Sequence, residues 1–199
     1  MKRILVRAAL AAALVGLLVA CEGYTDPTDL SFTMRPSGTL GYEVSSSGEI
    51  TIETRNLVFR NPPGAYGLQL QSYRIEFFDE NDAPLLGGDN VQDGSLSLFV
   101  PPGIQCDEPD PHLGCTALSA GWRFAFGVEA VSEGGYQLLP VGIAQAHLLR
   151  AFPDFEEGDV LLGTPQPVGW HADITFTGRS TTGASYTSPT YRVGIAPPN

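Results

Sequence analysis

Two clusters of acidic side chains in this chain could bind a calcium ion. They are Asp79-Glu80-Asn81-Asp82, and Asp154 with Glu156, Glu157 and Asp159. Calcium prefers carboxylate and amide oxygens, so Asp79, Asn81 and Asp82 are candidate calcium ligands. Asp and Asn also cap tight turns with their own side chains, and the spacing does not match the EF-hand loop. The turn interpretation is therefore favoured over calcium, and no cofactor is predicted.

Residues that catalyse nucleophilic or acid–base reactions form no motif in this sequence. The histidines His112, His147 and His171 are far apart, and no Gly-x-Ser-x-Gly turn accompanies them. The 22 acidic residues allow many carboxylate pairs of the kind that hydrolyse glycosides, but the separation of a pair cannot be read from sequence. No catalytic residue is predicted, and a non-catalytic role is favoured over an enzyme.

The N-terminus has the composition of an export signal. Lys2, Arg3 and Arg7 are basic, and residues 8–20 carry no charge, which is the layout of a cleaved signal peptide. This uncharged run is too short for a membrane-spanning helix, which needs about 20 residues. A cysteine, Cys21, follows the run directly.

The tetrad Leu18-Val19-Ala20-Cys21 resembles the lipobox of bacterial lipoproteins. The resemblance implies cleavage before Cys21, a thioether-linked diacylglycerol on its sulfur and an acylated amino group. Residues 1–20 are then the lipoprotein signal peptide, residues 21–29 the lipidated cysteine with a short tether, and residues 30–199 one domain. In this family an Asp after the cysteine commonly favours retention in the inner membrane. Because Glu22 stands there, the outer membrane is favoured, with the domain facing the periplasm or the cell surface.

The remaining cysteines, Cys106 and Cys115, are an even pair in a chain that is predicted to be exported. Disulfides persist in oxidising compartments, so a Cys106–Cys115 disulfide is predicted. It would stabilise the fold by about 2–3 kcal/mol on the chain-entropy estimate. Cys106, His112 and Cys115 are also possible zinc ligands. Their Cys-x5-His-x2-Cys spacing matches no common zinc module, so the disulfide is favoured and no metal is predicted.

Acidic residues dominate the predicted mature chain. Removal of residues 1–20 leaves 8 arginines, no lysine and 22 Asp and Glu residues, a net charge of 8 − 22 = −14. Such a surface repels phosphate backbones and anionic head groups, which excludes nucleic acid as a partner. The predicted membrane contact is therefore made by the lipid on Cys21.

Alternating apolar residues predict β-strands along most of the domain. The runs are Ile50 and Ile52; Leu57 and Phe59; Tyr73, Ile75 and Phe77; Leu96, Leu98 and Val100; Trp122, Phe124, Phe126, Val128 and Ala130; and Trp170, Ala172, Ile174 and Phe176. Turn formers separate the runs, and 23 Gly and 16 Pro leave little room for helices. Seven to nine short strands of this kind predict an all-β fold of two packed antiparallel sheets.

The strand count and the segment 73–84 resemble the immunoglobulin-like β-sandwiches of bacterial envelope proteins. The cysteines on facing strands that mark antibody domains are missing, so a jelly roll stays an alternative. Residues 142–150 fit either a strand or a short helix and are assigned to a strand. Trp122 and Trp170 lie in phase with the apolar residues of their runs, so both are predicted to be buried.

Two functions follow from these features. The favoured one is a lipid-anchored envelope protein whose domain is a non-catalytic binding or structural module, with an envelope protein complex as a possible partner. The alternative is a carbohydrate-binding or carbohydrate-active envelope domain, because sandwiches with exposed aromatic residues often bind glycans. An exposed row of Trp and Tyr side chains would favour the alternative, and a flat apolar patch would favour a protein partner.

Overall fold

The computed structural model of this chain describes residues 30–36, 38–62, 65–88, 90–102, 104–106, 122–124, 129–132, 135–154 and 164–198. The predicted signal peptide, Cys21 and the tether lie outside the described residues. So do Cys115, His112 and most of the second acidic cluster. The side chains of residues 104–106 and 122–124, which include Cys106 and Trp122, also lie outside the description.

The described residues form twelve β-strands, one α-helix and one short 3-10 turn, where the sequence predicts seven to nine strands. The helix α1 is Val141–Ala151, and the 3-10 turn is Leu85–Gly88. The strands are β1 (Ser31–Arg35), β2 (Tyr42–Val44), β3 (Ile50–Ile52), β4 (Asn56–Arg60), β5 (Leu68–Phe78), β6 (Val91–Val100), β7 (Ile104–Cys106), β8 (Trp122–Phe124), β9 (Glu129–Val131), β10 (His171–Ser180), β11 (Ser185–Thr187) and β12 (Tyr191–Gly194).

Two antiparallel sheets contain most of these strands, which confirms the all-β prediction. The three-stranded sheet has the order β1-β4-β9, and the five-stranded sheet has the order β11-β10-β5-β6 with β12 also paired to β10. The longest ladder joins β5 to β10, from Leu68 opposite Ser180 to Phe78 opposite His171. Two further antiparallel pairs are β2 with β3 and β7 with β8.

Aromatic side chains from the two sheets meet in one core. Phe77 on β5 and Phe176 on β10 are fully buried, as their alternation with polar neighbours predicts. The ring centroid of Phe176 lies 4.7 Å from that of Phe32 and 4.9 Å from that of Phe59. Because Phe32 and Phe59 belong to the three-stranded sheet, these contacts pack one sheet against the other.

The segment predicted as a strand at residues 142–150 is the helix α1, so that assignment was wrong. Apolar residues at alternate positions suggested a strand, but burial follows the 3.6-residue period of a helix face instead. The buried residues are Ile143, Ala144, His147, Leu148 and Ala151. Pro140 precedes the helix with an extended backbone, and the N–H of Phe152 closes the last turn on the carbonyl of Leu148 at 2.8 Å.

Two predicted strands differ in detail from the observed ones. Trp170 immediately precedes β10 and is half-buried, whereas the sequence predicts it inside a strand and buried. The run from Trp122 to Ala130 contains β8 and β9 at its two ends, and residues 125–128 lie outside the described part. Within the described ranges, no helix has the length and apolar content that crossing a membrane requires.

Candidate functional site

The loop Asp79–Asp82, which holds the candidate calcium ligands, follows β5 and makes the hydrogen bonds of a turn. The backbone N–H groups of Ala83 and Asn81 both donate to Asp79 Oδ1, each at 2.8 Å. These two bonds hold the pKa of the Asp79 carboxyl below its usual value. Asp82 adopts a positive φ of 59°, a conformation that Asp tolerates in turns.

The Asp82 side chain contacts residues of β10 and β12. Its Oδ1 lies 2.9 Å from Arg192 Nη1 and 3.2 Å from His171 Nε2. Arg192 also donates to both oxygens of Asp173, at 2.9 and 3.1 Å. The ring of Phe78 stacks on that of His171 with centroids 5.7 Å apart. The network ties the loop to β10 and β12.

Oδ1 of Asp79 and Oδ1 of Asp82 are both in contact with groups of the protein, and calcium binding by Asp79, Asn81 and Asp82 stays a prediction. Among the described residues, no group of three or more His, Cys, Asp and Glu side chains is placed to hold a metal ion. In the second acidic cluster, Asp154 is described and exposed, whereas Glu156, Glu157 and Asp159 lie outside the described residues. Cys106 lies on β7 and Cys115 lies outside the description, so the disulfide stays a prediction.

A buried polar pair links the helix to the strand β2. Tyr42 Oη lies 2.9 Å from His147 Nδ1, and both side chains are fully buried. Burial raises the pKa of the Tyr42 phenol and lowers the pKa of the His147 imidazole to about 4. The ring of Trp170 meets the His147 ring edge-on at 5.6 Å, and among the described residues His147 Nε2 has no hydrogen-bond partner.

The burial of this pair decides its chemical role. A group that catalyses a reaction must reach its substrate within hydrogen-bond distance, and neither side chain is exposed. At neutral pH both groups are uncharged, which avoids the cost of a buried ion. We therefore assign Tyr42 and His147 to the packing of α1 against β2 rather than to catalysis.

The outer face of the five-stranded sheet has a charged half. Across β6, β5 and β10, Asp93 lies opposite Arg74 and Arg74 opposite Thr175. The guanidinium of Arg74 lies 2.9 Å from a carboxylate oxygen of Glu76 and 3.2 Å from one of Asp93. The ion pairs of Arg192 belong to the same half.

The other half of the same face carries amides, hydroxyls, one aromatic ring and one cation. One row across four strands reads Phe99, Gln69, Arg179 and Ser185. A second row reads Ser95, Ser72, Thr177 and Thr187, in which Ser72 and Thr177 share a hydrogen bond of 2.6 Å. These two rows contain no carboxylate.

A shallow depression of about 590 Å³ lies in this half, where both ladders of β5 change register. It is lined by Gln69, Leu70, Gln71, Ser95, Leu96 and Ser97. Gly178 permits the close approach of β10, because a Cβ there would lie 2.3 Å from the carbonyl oxygen of Gln69. The bulge therefore turns both Gln69 and Gln71 away from the core.

Two side chains beside the depression are free to meet a ligand. Phe99 is 48% exposed, and its ring packs over Gly67, where a Cβ would lie 3.0 Å from the ring. Arg179 is exposed and has no ion-pair partner among the described residues, whereas each of the other six arginines with described side chains has one. We define the outer patch by the residues Gln69, Gln71, Ser95, Ser97, Phe99 and Arg179.

None of these six side chains is predicted from the sequence as a site residue. An exposed row of Trp and Tyr, the signal expected for glycan binding, is not seen in the described part of the chain, where every tyrosine is buried or half-buried. A signal was present as Gln-x-Gln in β5 and Ser-x-Ser-x-Phe in β6, which place polar groups on one sheet face. No family model and no curated protein sequence matches this chain.

Proposed function

We propose that this protein is a lipid-anchored component of the bacterial cell envelope whose β domain is a non-catalytic binding or structural module. The observation that carries the proposal is the tetrad Leu18-Val19-Ala20-Cys21 after a basic and then uncharged segment. Only residues 22–29 separate Cys21 from Leu30, where the description begins. Even fully extended, that length spans at most about 30 Å, so the domain stays near the membrane.

The described side chains support a non-catalytic role. The two described histidines contact Tyr42 and Asp82, and neither lies within hydrogen-bond distance of a Ser or Cys side chain in the described residues. A nucleophile and its base must share a hydrogen bond to catalyse acyl transfer in the usual manner. The interior of the fold instead consists of aromatic and aliphatic contacts between two sheets.

Two structural details belong to the same proposal. We infer that the two sheets form an immunoglobulin-like sandwich, a scaffold that commonly presents binding surfaces in the envelope, and the contacts of Phe176 with Phe32 and Phe59 support this. We also infer a disulfide between Cys106 and Cys115, in keeping with export. The intact mass after alkylation, with and without prior reduction, tests the bond: two thiols alkylated without reductant would contradict it.

Membrane fractionation tests the anchor. The full chain with Cys21→Ser should move from the membrane to the soluble fraction, because the residue that carries the lipid is lost. Its melting temperature should match that of the domain in the wild type, because the domain sequence from Leu30 onward is unchanged. Glu22→Asp is the matched control: it should remain in membranes and, where the sorting rule applies, shift to the inner membrane. Membrane retention of the Cys21→Ser protein would contradict the proposal.

A carbohydrate-binding domain is the second candidate, and one observation favours it. The outer patch combines amide and hydroxyl groups with an exposed aromatic ring on a rigid sheet, a combination suited to the polar and apolar faces of a sugar ring. A carbohydrate-binding domain is one kind of binding module. The ligand that the outer patch accepts distinguishes it from a protein-binding domain.

A further inference from the structure

We propose that the outer patch binds a saccharide that carries a carboxylate group. This inference rests on the proposed role as a binding module and names its ligand class. It places the carboxylate at Arg179, the sugar hydroxyls at the glutamine and serine side chains, and the apolar face of one sugar ring on Phe99.

Charge is the first argument. In a chain with 22 acidic and 11 basic residues, a guanidinium without a carboxylate partner is unusual, and among the arginines whose side chains are described Arg179 is the one in that state. On β6, which carries three residues of the outer patch, the carboxylate is that of Asp93, and it lies 3.2 Å from Arg74. Charges more than about 8 Å apart are largely screened at physiological ionic strength, so the local pattern decides which ligand is attracted.

Hydrogen-bonding capacity is the second argument. Gln69, Gln71, Ser95 and Ser97 surround one depression and offer both donors and acceptors. Sugars present the same mixture at close spacing. Arg179 lies directly across from Gln69 in the β5–β10 ladder, so an anionic substituent and neighbouring hydroxyls of one sugar can be contacted together.

The aromatic ring is the third argument. Phe99 lies opposite Gln69 on the side away from Arg179, and its ring packs over Gly67. A Cβ at residue 67 would lie 3.0 Å from the ring, closer than ordinary van der Waals contact, so glycine there lets Phe99 lie against the backbone while it remains 48% exposed. An exposed aromatic surface next to amides and hydroxyls fits a sugar ring better than it fits a bare anion.

The position of the patch argues against an acidic peptide as the ligand. Peptides often add a strand to a free sheet edge, where backbone groups supply the affinity. Three residues of the patch lie on β6, the outer strand of the sheet, and the other three lie on β5 and β10, which are paired on both sides along this part of the sheet. Because the six side chains project from the face of the sheet and not from its edge, a ligand on the patch is recognised by side chains.

Equilibrium binding to defined oligosaccharides tests the inference. The full lipoprotein, in a neutral detergent, is titrated with labelled hexasaccharides of galacturonate, mannuronate and hyaluronan, followed by fluorescence anisotropy. We expect saturable binding of at least one of them. Methyl esterification of the carboxylates of that ligand should raise the Kd by at least about tenfold, because it removes the charge-assisted bonds to Arg179.

Variants locate the site. Arg179→Gln and Phe99→Ala should each raise the Kd by at least about fivefold, because each removes one anchor of the ligand, and both variants should stay folded at the temperature of the binding assay. Arg74→Gln is the matched control: it removes a positive charge from the other half of the same sheet face. The Kd of this variant should stay within about twofold of the wild-type value, because an arginine already paired with carboxylates offers little to a ligand.

Four results would overturn the inference: no saturable binding to any of the three hexasaccharides, equal affinity for the methyl ester, equal affinity for hexaglutamate, or equal weakening by Arg74→Gln and Arg179→Gln. Equal affinity for the ester would mean that the carboxylate is not recognised, and equal affinity for hexaglutamate that the saccharide is not. If Cys21→Ser releases the protein from membranes while binding fails, the ligand assignment falls and the anchored module stands. If an oligosaccharide binds as expected while the Cys21→Ser protein stays in membranes, the ligand assignment stands and the lipid anchor falls.

Discussion

The two faces of the five-stranded sheet are built by the same strands and have opposite properties. The inner face buries Phe176 and Phe77 completely and packs Phe176 against the three-stranded sheet. The outer face divides into a half in which arginines are paired with carboxylates and the outer patch, in which Arg179 is unpaired within the described residues. The alternation of side chains along β5 and β10 produces both faces at once.

This contrast shows where stability and recognition reside in the molecule. A large apolar side chain on the inner face loses packing partners when it is shortened, so its substitution affects folding. An exposed side chain on the outer face has few contacts to lose, so its substitution can change binding without changing folding. The strongest test of the contrast is therefore to make matched changes on opposite faces.

Phe176→Ala should have the largest effect on stability. It removes a fully buried ring that contacts Phe32 and Phe59, and should lower the free energy of unfolding by about 3–5 kcal/mol. Thr175→Ala, one residue earlier on the outer face, should change it by less than about 1 kcal/mol. Urea denaturation followed by fluorescence measures both. Similar effects from the two changes would mean that the faces do not differ as described.

Acidification tests the buried Tyr42–His147 pair. The pKa of His147 is lowered from 6.5 to about 4 in the folded protein, so below pH 6.5 the unfolded chain binds a proton that the folded chain does not. The free energy of unfolding should therefore fall between pH 6.5 and pH 4, with a contribution from this group of about 3 kcal/mol.

His147→Asn supplies the control for that titration. Asn keeps a polar group near the Nδ1 position that contacts Tyr42 and does not take up a proton in this range. The variant should be less stable at neutral pH, and its stability should depend less steeply on pH than that of the wild type. Parallel pH profiles for the two proteins, from urea denaturation, would show that His147 is not held neutral by burial.

Gly178→Ala tests the close approach of β10 to β5 at the bulge beside the outer patch. A Cβ at this position would lie 2.3 Å from the carbonyl oxygen of Gln69, so the backbone of β5 or β10 must shift, at a cost of about 1–3 kcal/mol. Gly194→Ala on β12 is the control, because no atom lies within 4 Å of its Cβ position. Equal melting temperatures for the two variants would contradict the close approach at Gly178.

The smallest expected effects on stability come from two arginines of the outer face. Arg192→Gln loses contacts with Asp82 and Asp173, and should lower the melting temperature slightly, by an amount that shrinks as salt is added. Arg179→Gln loses no ion pair among the described residues and should shift the melting temperature by less than about 2 °C. Calorimetry at low and high salt distinguishes the two variants. A larger loss of melting temperature for Arg179→Gln than for Arg192→Gln would show that Arg179 supports the fold.

The alternation of apolar residues predicted the buried faces of β5, β6 and β10, because a half-buried strand imposes a period of two on its sequence. The helix α1 was missed because Val141, Ile143 and Gln145 also alternate. Burial of Ala144, His147 and Leu148 depends on contacts that only the folded chain supplies. Short strands such as β11 carry too few residues for a periodic signal.

The outer patch could not be predicted as a site because its members are distant in sequence. Phe99, Gln69 and Arg179 become neighbours only through the pairing of β6, β5 and β10. Pairing partners and register are set by long-range packing, and a local pattern does not contain them. The pairing of Tyr42 with His147 was missed for the same reason, since 105 residues separate the two. The lipid anchor could be predicted from the sequence because its signal, residues 18–21, is contiguous.

The intact mass of the protein purified from membranes shows whether a lipid on Cys21 holds this domain in the envelope. We expect a polypeptide of residues 21–199 that carries a diacylglycerol and an additional acyl chain, and an N-terminal peptide in which Cys21 bears both. A polypeptide that starts at Met1, or a mature chain with an unmodified Cys21, would contradict it.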